Sequence, residues 1–200
     1  MKNNIFKFAM VLLVSVVAFS GCKKGEDDPG ISFRSRSARF AGEWKLTSMD
    51  KTSTSTNSGI SSSTHYTYDG AILTRTSTYD GTSYTLTNTY SESFNTEKDG
   101  TYDYTIIDDG ETSLESGNWM WLDENDNMDI ENKEAVILTA TRTVEDGNSY
   151  VYSGKSNFNG DVWVLRRLAN DEMVVLVEYS STDSDGDTYT VNGILTYTQN

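Results

Sequence analysis

From Gly42 onward, apolar and polar residues alternate with a period of two. Gly42-Glu43-Trp44-Lys45-Leu46-Thr47-Ser48-Met49 places Trp44, Leu46 and Ser48 on one face. Tyr84, Leu86, Tyr90 and Phe94 share a face, with Thr85, Thr87, Thr89 and Ser91 opposite. This is the signature of half-buried antiparallel strands. Tyr66–Thr74 reads as a strand, and further strands are expected at Thr101–Ile107, Ser113–Leu122, Ala135–Thr143, Ser149–Ser153, Val162–Leu168, Met173–Tyr179 and Thr188–Thr198. The separators carry turn chemistry: Asp80-Gly81, Asp99-Gly100, Asp109-Gly110, Asp146-Gly147, Asn159-Gly160 and Asp185-Gly186. Such pairs supply the positive φ that tight hairpins need. No segment has a helical period. The Ser/Thr tract from Lys51 to Thr64 has few large apolar residues and reads as a flexible loop.

About ten strands with local connections make an antiparallel meander rather than a βαβ fold. Closure into a barrel hides the edges of so long a meander. The expected fold is all-β, a barrel of about 8–10 strands, over residues 39–200; a β-sandwich is the alternative. A barrel of this size has room for packed side chains or for one small ligand.

The N-terminus has a different character. Lys2 and Lys7 make the first seven residues a positive segment, and Phe8–Phe19 is uncharged. Twelve residues of helix would cover about 18 Å, too little for a hydrocarbon core of roughly 30 Å. Residues 1–21 therefore read as a signal peptide. Ala18-Phe19-Ser20-Gly21-Cys22 resembles the bacterial lipobox, in which the cysteine thiol receives a diacylglyceryl group and cleavage falls just before it. That resemblance implies a lipoprotein acylated at Cys22, with palmitate-type chains holding it to a membrane. Cys22 is the only cysteine, so no intramolecular disulfide can form. Residues 22–38 are expected to be the lipidated cysteine and a flexible acidic tether. Glu26-Asp27-Asp28 resembles the export signal of surface-displayed lipoproteins, which implies an outer-membrane, surface-exposed location.

Charge narrows the partners. The chain carries a formal −14; without Lys2 and Lys7 it keeps 14 basic and 30 acidic residues, a formal −16. Such a charge repels nucleic acid and anionic membrane surfaces.

Arg39-Phe40-Ala41-Gly42-Glu43-Trp44 resembles the opening strand of lipocalin-like proteins, with its Gly-x-Trp motif. The resemblance implies a barrel with one closed and one open end. Gly42 would sit at a close approach on the floor, Trp44 would plug it, and Arg166 or Arg167 would pack over the indole. It also implies a small apolar or amphipathic ligand, for which no individual contact residue is assigned.

Chemistry-bearing motifs are sparse. His65 is the only histidine and reads as a solvated strand-end residue. No nucleophile elbow or phosphate loop is present, and no carboxylate pair stands out. No enzyme activity, cofactor or metal is therefore expected. The weak calcium candidates are Asp183, Asp185 and Asp187, at alternate positions; Asp123–Glu134 resembles an EF-hand loop but lacks its glycine. Met173, Val175, Val177 and Tyr179 form one apolar stripe, and Tyr189, Val191, Leu195 and Tyr197 another. The expected function is a non-catalytic, membrane-anchored, ligand-binding lipoprotein. The alternative is a surface module that binds a protein or glycan through its loops.

Overall fold

A computed structural model describes residues 25–29, 34–126, 130, 134–152 and 160–199. The signal peptide and Cys22 lie outside the described residues. A short helix, α1 (Arg36–Phe40), precedes eleven strands: β1 (Gly42–Asn57), β2 (Ile60–Tyr68), β3 (Ile72–Tyr79), β4 (Thr82–Thr96), β5 (Thr101–Asp108), β6 (Glu111–Trp121), β7 (Ala135–Glu145), β8 (Asn148–Val151), β9 (Gly160–Leu168), β10 (Glu172–Thr182) and β11 (Thr188–Gln199).

The strands form the expected antiparallel meander, and β1 pairs with β11 to close it into a barrel. Ten strands make the ring, while β8 continues the upper part of β7 as a hairpin. The ring is not uniform. Gly42–Lys45 at the start of β1 pair directly with Ser93–Thr96 at the end of β4. Farther along, β1 pairs with β2, β2 with β3, and β3 with Thr82–Thr89 of β4. The β2–β3 hairpin is thus a wedge between β1 and β4. The barrel has eight strands at the end where β1 starts; at the other, ten strands from β10 through β11 and β1 round to β8 lie side by side, and β9 pairs with β10 only as far as Leu176. Barrel diameter grows with strand number, so the barrel flares.

Several sequence expectations change. A β-bulge between Leu46 and Ser48 leaves Ser48 exposed and puts Met49 on the face of Trp44 and Leu46. Lys51–Thr64 is not a loop: it forms the second half of β1, a Ser58-Gly59 turn and the start of β2. Threonine is β-branched and suits a pleated surface. The hydroxyls also pair across strands, as in Thr56–Ser61 at 3.1 Å and Thr64–Ser77 at 3.0 Å. Tyr66–Thr74 is not one strand either, because Asp69-Gly70 turns the chain between β2 and β3. There Asp69 Oδ1 accepts hydrogen bonds from the Ala71 and Ile72 amides. The hairpin turns at Ser58-Gly59, Asp80-Gly81, Asp109-Gly110 and Asp146-Gly147 have positive φ at both residues, which matches the strand twist.

The core lies at the eight-stranded end. Trp44, Leu46, Phe94, Leu165, Leu168, Met173, Val136, Val175 and Tyr197 are fully or almost fully buried there. Helix α1 closes the floor. Ser35 caps it, with Oγ accepting from the Ala38 amide at 3.1 Å. At its end Phe40 is buried, edge-on to Trp119 with ring centroids 4.8 Å apart.

The acidic segment expected to be a flexible tether is docked where it is described. Asp28 is buried at the end of β9, ion-paired with Arg36 and 3.7 Å from Arg39, and it accepts from the Leu168 amide at 2.7 Å. Arg166 binds the Asp27 carboxylate at 2.7 Å and Arg167 its carbonyl at 3.0 Å. A carboxylate held by arginines and an amide satisfies its acceptors without water. Gly25 lies flat on β9: a Cβ there would fall 2.4 Å from the Leu165 carbonyl oxygen.

Candidate functional site

The inner wall follows from register and pleat, since alternate residues of each strand face the lumen. Along β11 and β10 the inward series pass from burial to exposure. Tyr197 and Leu195 are buried, Val191 is half-buried, and Tyr189 at the wide end is 43% exposed. Met173 and Val175 are buried, Val177 is half-buried, and Tyr179 is 55% exposed. On β4, Phe94 is buried while Leu86 and Tyr84 are exposed. Both apolar stripes read from the sequence therefore exist. Each begins in the packed core and ends in exposed side chains at the ten-stranded end. Tyr179 and Tyr189 remain in ring contact there, 6.0 Å apart.

Between core and mouth lies a buried carboxylate. Glu92 is 2% exposed on the inward face of β4. Tyr90 donates to its Oε2 at 2.7 Å, and the Tyr197 hydroxyl donates to its Oε1. Tyr104 joins the cluster through Glu92 and Tyr197. Burial, and next the neighbouring Glu92 charge, push the Tyr90 phenol well up. Burial also raises Tyr104 and Tyr197 well above the usual range. The phenols thus remain donors at any physiological pH, and the carboxylate they surround is satisfied.

A shelf of charge lies one step toward the mouth. Lys51, Tyr66, Arg75 and Leu86 are successive cross-strand partners on β1, β2, β3 and β4. Arg75 is ion-paired with Asp108, which also accepts from the Asn88 side chain. Lys51 lies over the Tyr66 ring, 4.8 Å from its centroid. Desolvation, opposed by the Glu92 charge, lowers the Lys51 amine below the usual lysine range.

This arrangement has an aromatic floor, a polar middle and a wide mouth lined by tyrosine and leucine. No known family model matches the chain, and no curated protein is significantly similar to it. Its functional reading therefore rests on the residues themselves.

The residues singled out from sequence are scattered. Trp44 plugs the closed end, 1% exposed, its indole donating to the Phe40 carbonyl at 2.8 Å. Gly42 has φ +153°, and a Cβ there would meet the Gln199 side chain rather than a neighbouring backbone. Arg166 and Arg167 do not cover Trp44; they hold Asp27 and Glu172. The cation–π contact of this end is instead Arg36 over Trp121, at 5.6 Å. His65 is on the outer wall, 2.9 Å from Asp50, with both side chains exposed. Asp183 is taken up by the β10–β11 turn, accepting from the Asp185 and Asp187 amides, and Asp187 accepts from the Ser58 amide. Among the described residues no group of three or more His, Cys, Asp or Glu could hold a metal ion. Of Asp123–Glu134, residues 127–129 and 131–133 lie outside the described residues.

Sequence reading missed Glu92, Lys51, Arg75 and Asp108. A signal was present for one of them. The inward series Tyr84-Leu86-Asn88-Tyr90-Glu92-Phe94 is apolar except at Asn88 and Glu92. Polar residues on an otherwise apolar face mark an internal polar cluster. Lys51 was hidden because it falls in the tract read as a loop.

Proposed function

We propose that this protein is a membrane-anchored, lipocalin-like lipoprotein that binds one small amphipathic molecule in the wide half of its barrel, without catalysis. One observation carries the reading. Strands that bury their inward residues completely at one end leave inward tyrosines and a leucine exposed at the other, above a polar middle. A concave site with apolar walls and a few placed polar groups is the usual form of a small-molecule pocket. The sequence resemblance to the lipobox supports acylation at Cys22 as the anchor and the outer membrane as the location.

The test is native mass spectrometry of the chain expressed from Lys23, so that Asp28 keeps its place. A reproducible added mass of a few hundred daltons, lost on denaturation, is the expected result. A bare polypeptide mass after gentle purification and after incubation with amphiphile mixtures counts against it. The anchor is tested separately by growing cells with an alkyne-tagged fatty acid: label on the native chain and none on Cys22→Ala is expected.

A further inference from the structure

We infer that Lys51 selects the ligand, by binding a singly charged anionic head group such as a carboxylate or sulfonate while the mouth holds an apolar body. The inference rests on the ligand-binding reading above and specifies the chemistry of that same site.

Lys51 is half-buried on the inward face of β1 and is flanked by Tyr66 and, one strand farther, by Arg75. The two cations differ in their partners. Arg75 is neutralised by Asp108. Lys51 has no carboxylate within 4.0 Å among the described residues, and its one close charge contact is the Tyr66 ring. The nearest interior carboxylate, Glu92, is already occupied by phenol donors. An ammonium carries three donors and no acceptor. Solvent reaches the Lys51 amine, and an apolar body seated beside it would displace that water; the ring contact offsets only part of the cost. An anion supplied by a ligand would complete the shelf.

The neighbours set the number of charges and the body. With Arg75 paired to Asp108, Lys51 is the cation of this shelf that has no carboxylate in contact; Glu92 attracts it only at longer range, which leaves room for one negative charge against the ammonium. A neutral ligand would leave the ammonium unsatisfied, and a cationic one would be repelled. Leu86 lies on the same cross-strand row, and Tyr84, Tyr179 and Tyr189 lie nearer the mouth. An aromatic or alkyl body next to the head would meet these side chains.

Two fluorescent probes of similar shape separate head from body. 8-Anilinonaphthalene-1-sulfonate carries one sulfonate; N-phenyl-1-naphthylamine has the same rings and no charge. Both are titrated against the chain from Lys23 and against Lys51→Met and Lys51→Arg. The expected result is that Lys51→Met weakens the sulfonate probe at least about tenfold, as loss of a charge-assisted hydrogen bond implies. The neutral probe should change by less than about threefold, and Lys51→Arg should restore the sulfonate probe. If Lys51→Met binds both probes as the native chain does, the head-group role is overturned and the barrel remains a binder. If it loses both equally, Lys51 is structural and the inference also fails. If the native chain binds neither probe, the ligand-binding reading itself falls.

Discussion

The two ends of the barrel use the same strands and the same alternation to opposite effect. At the eight-stranded end the inward positions are Trp44, Phe94, Trp119, Leu165, Met173 and Tyr197, and they fill the lumen. At the ten-stranded end the corresponding rows are Ser53–Thr64–Ser77–Tyr84 and Ser55–Ser62–Tyr79–Thr82. Apart from Tyr79 and Tyr84, these rows hold only serine and threonine, far less volume than the rings of the core, at the end that an inserted hairpin has made wider. Binary pattern alone therefore specifies a strand; side-chain volume together with strand number decides whether the enclosed space is core or cup.

That contrast can be broken most severely at the closed end. Trp44→Ala removes a fully buried indole and should cost about 3–5 kcal/mol, read as a fall in the urea midpoint. A loss below about 1 kcal/mol would mean that the floor is not the stabilising core. Asp28→Ala should cost about 3 kcal/mol, because it leaves Arg36 and Arg39 buried without their shared carboxylate. A neutral effect would show that the docked segment is incidental to the barrel.

Alkaline pH tests the polar middle. Unfolded tyrosines ionise near pH 10, whereas Tyr90, Tyr104 and Tyr197 are held protonated above it by burial and by Glu92. Below about pH 10 both states keep these protons, and the phenols make stability independent of pH. Above it the unfolded chain releases protons that the native chain retains, so stability falls. Each such phenol contributes a loss of about 1.4 kcal/mol per pH unit. Tyrosinate absorbance should therefore rise in two stages, the second coinciding with loss of near-ultraviolet dichroism. A single stage with all tyrosines ionising near pH 10 would contradict the cluster.

The mouth should respond least in stability and most in binding. Leu86→Ser should change stability by less than about 0.5 kcal/mol, since the side chain is 57% exposed. It should still weaken the neutral naphthylamine probe severalfold. Unchanged probe binding would move the site away from this wall.

Much of the fold was legible because strand period and hairpin turns are local signals. Asp80-Gly81, Asp109-Gly110 and Asp146-Gly147 placed turns correctly from two residues each. Ser58-Gly59 was missed because the flanking Ser/Thr residues lack the apolar alternation that marks a half-buried strand. They are strands because their backbones are paired on both sides and their hydroxyls pair with each other. The site was less legible, because it is assembled across strands far apart in sequence. Nothing local in Lys51 or Arg75 tells which cation will find a carboxylate. Asp28 was read as part of a flexible tether for the same reason: Arg36 and Arg39 lie nearby in sequence, but the Leu168 amide that fixes the carboxylate is brought to it only by the folded barrel.

The docked Gly25–Pro29 segment also shortens the leash. It is held at the end of β9, on the plugged side of the barrel, by Asp27 and Asp28. Only Lys23 and Lys24 separate Gly25 from Cys22, a reach of at most about 11 Å. With acyl chains on Cys22, as proposed, that short reach keeps the β9 side of the barrel close against the bilayer. The barrel would then ride on the membrane surface rather than swing free on a long leash.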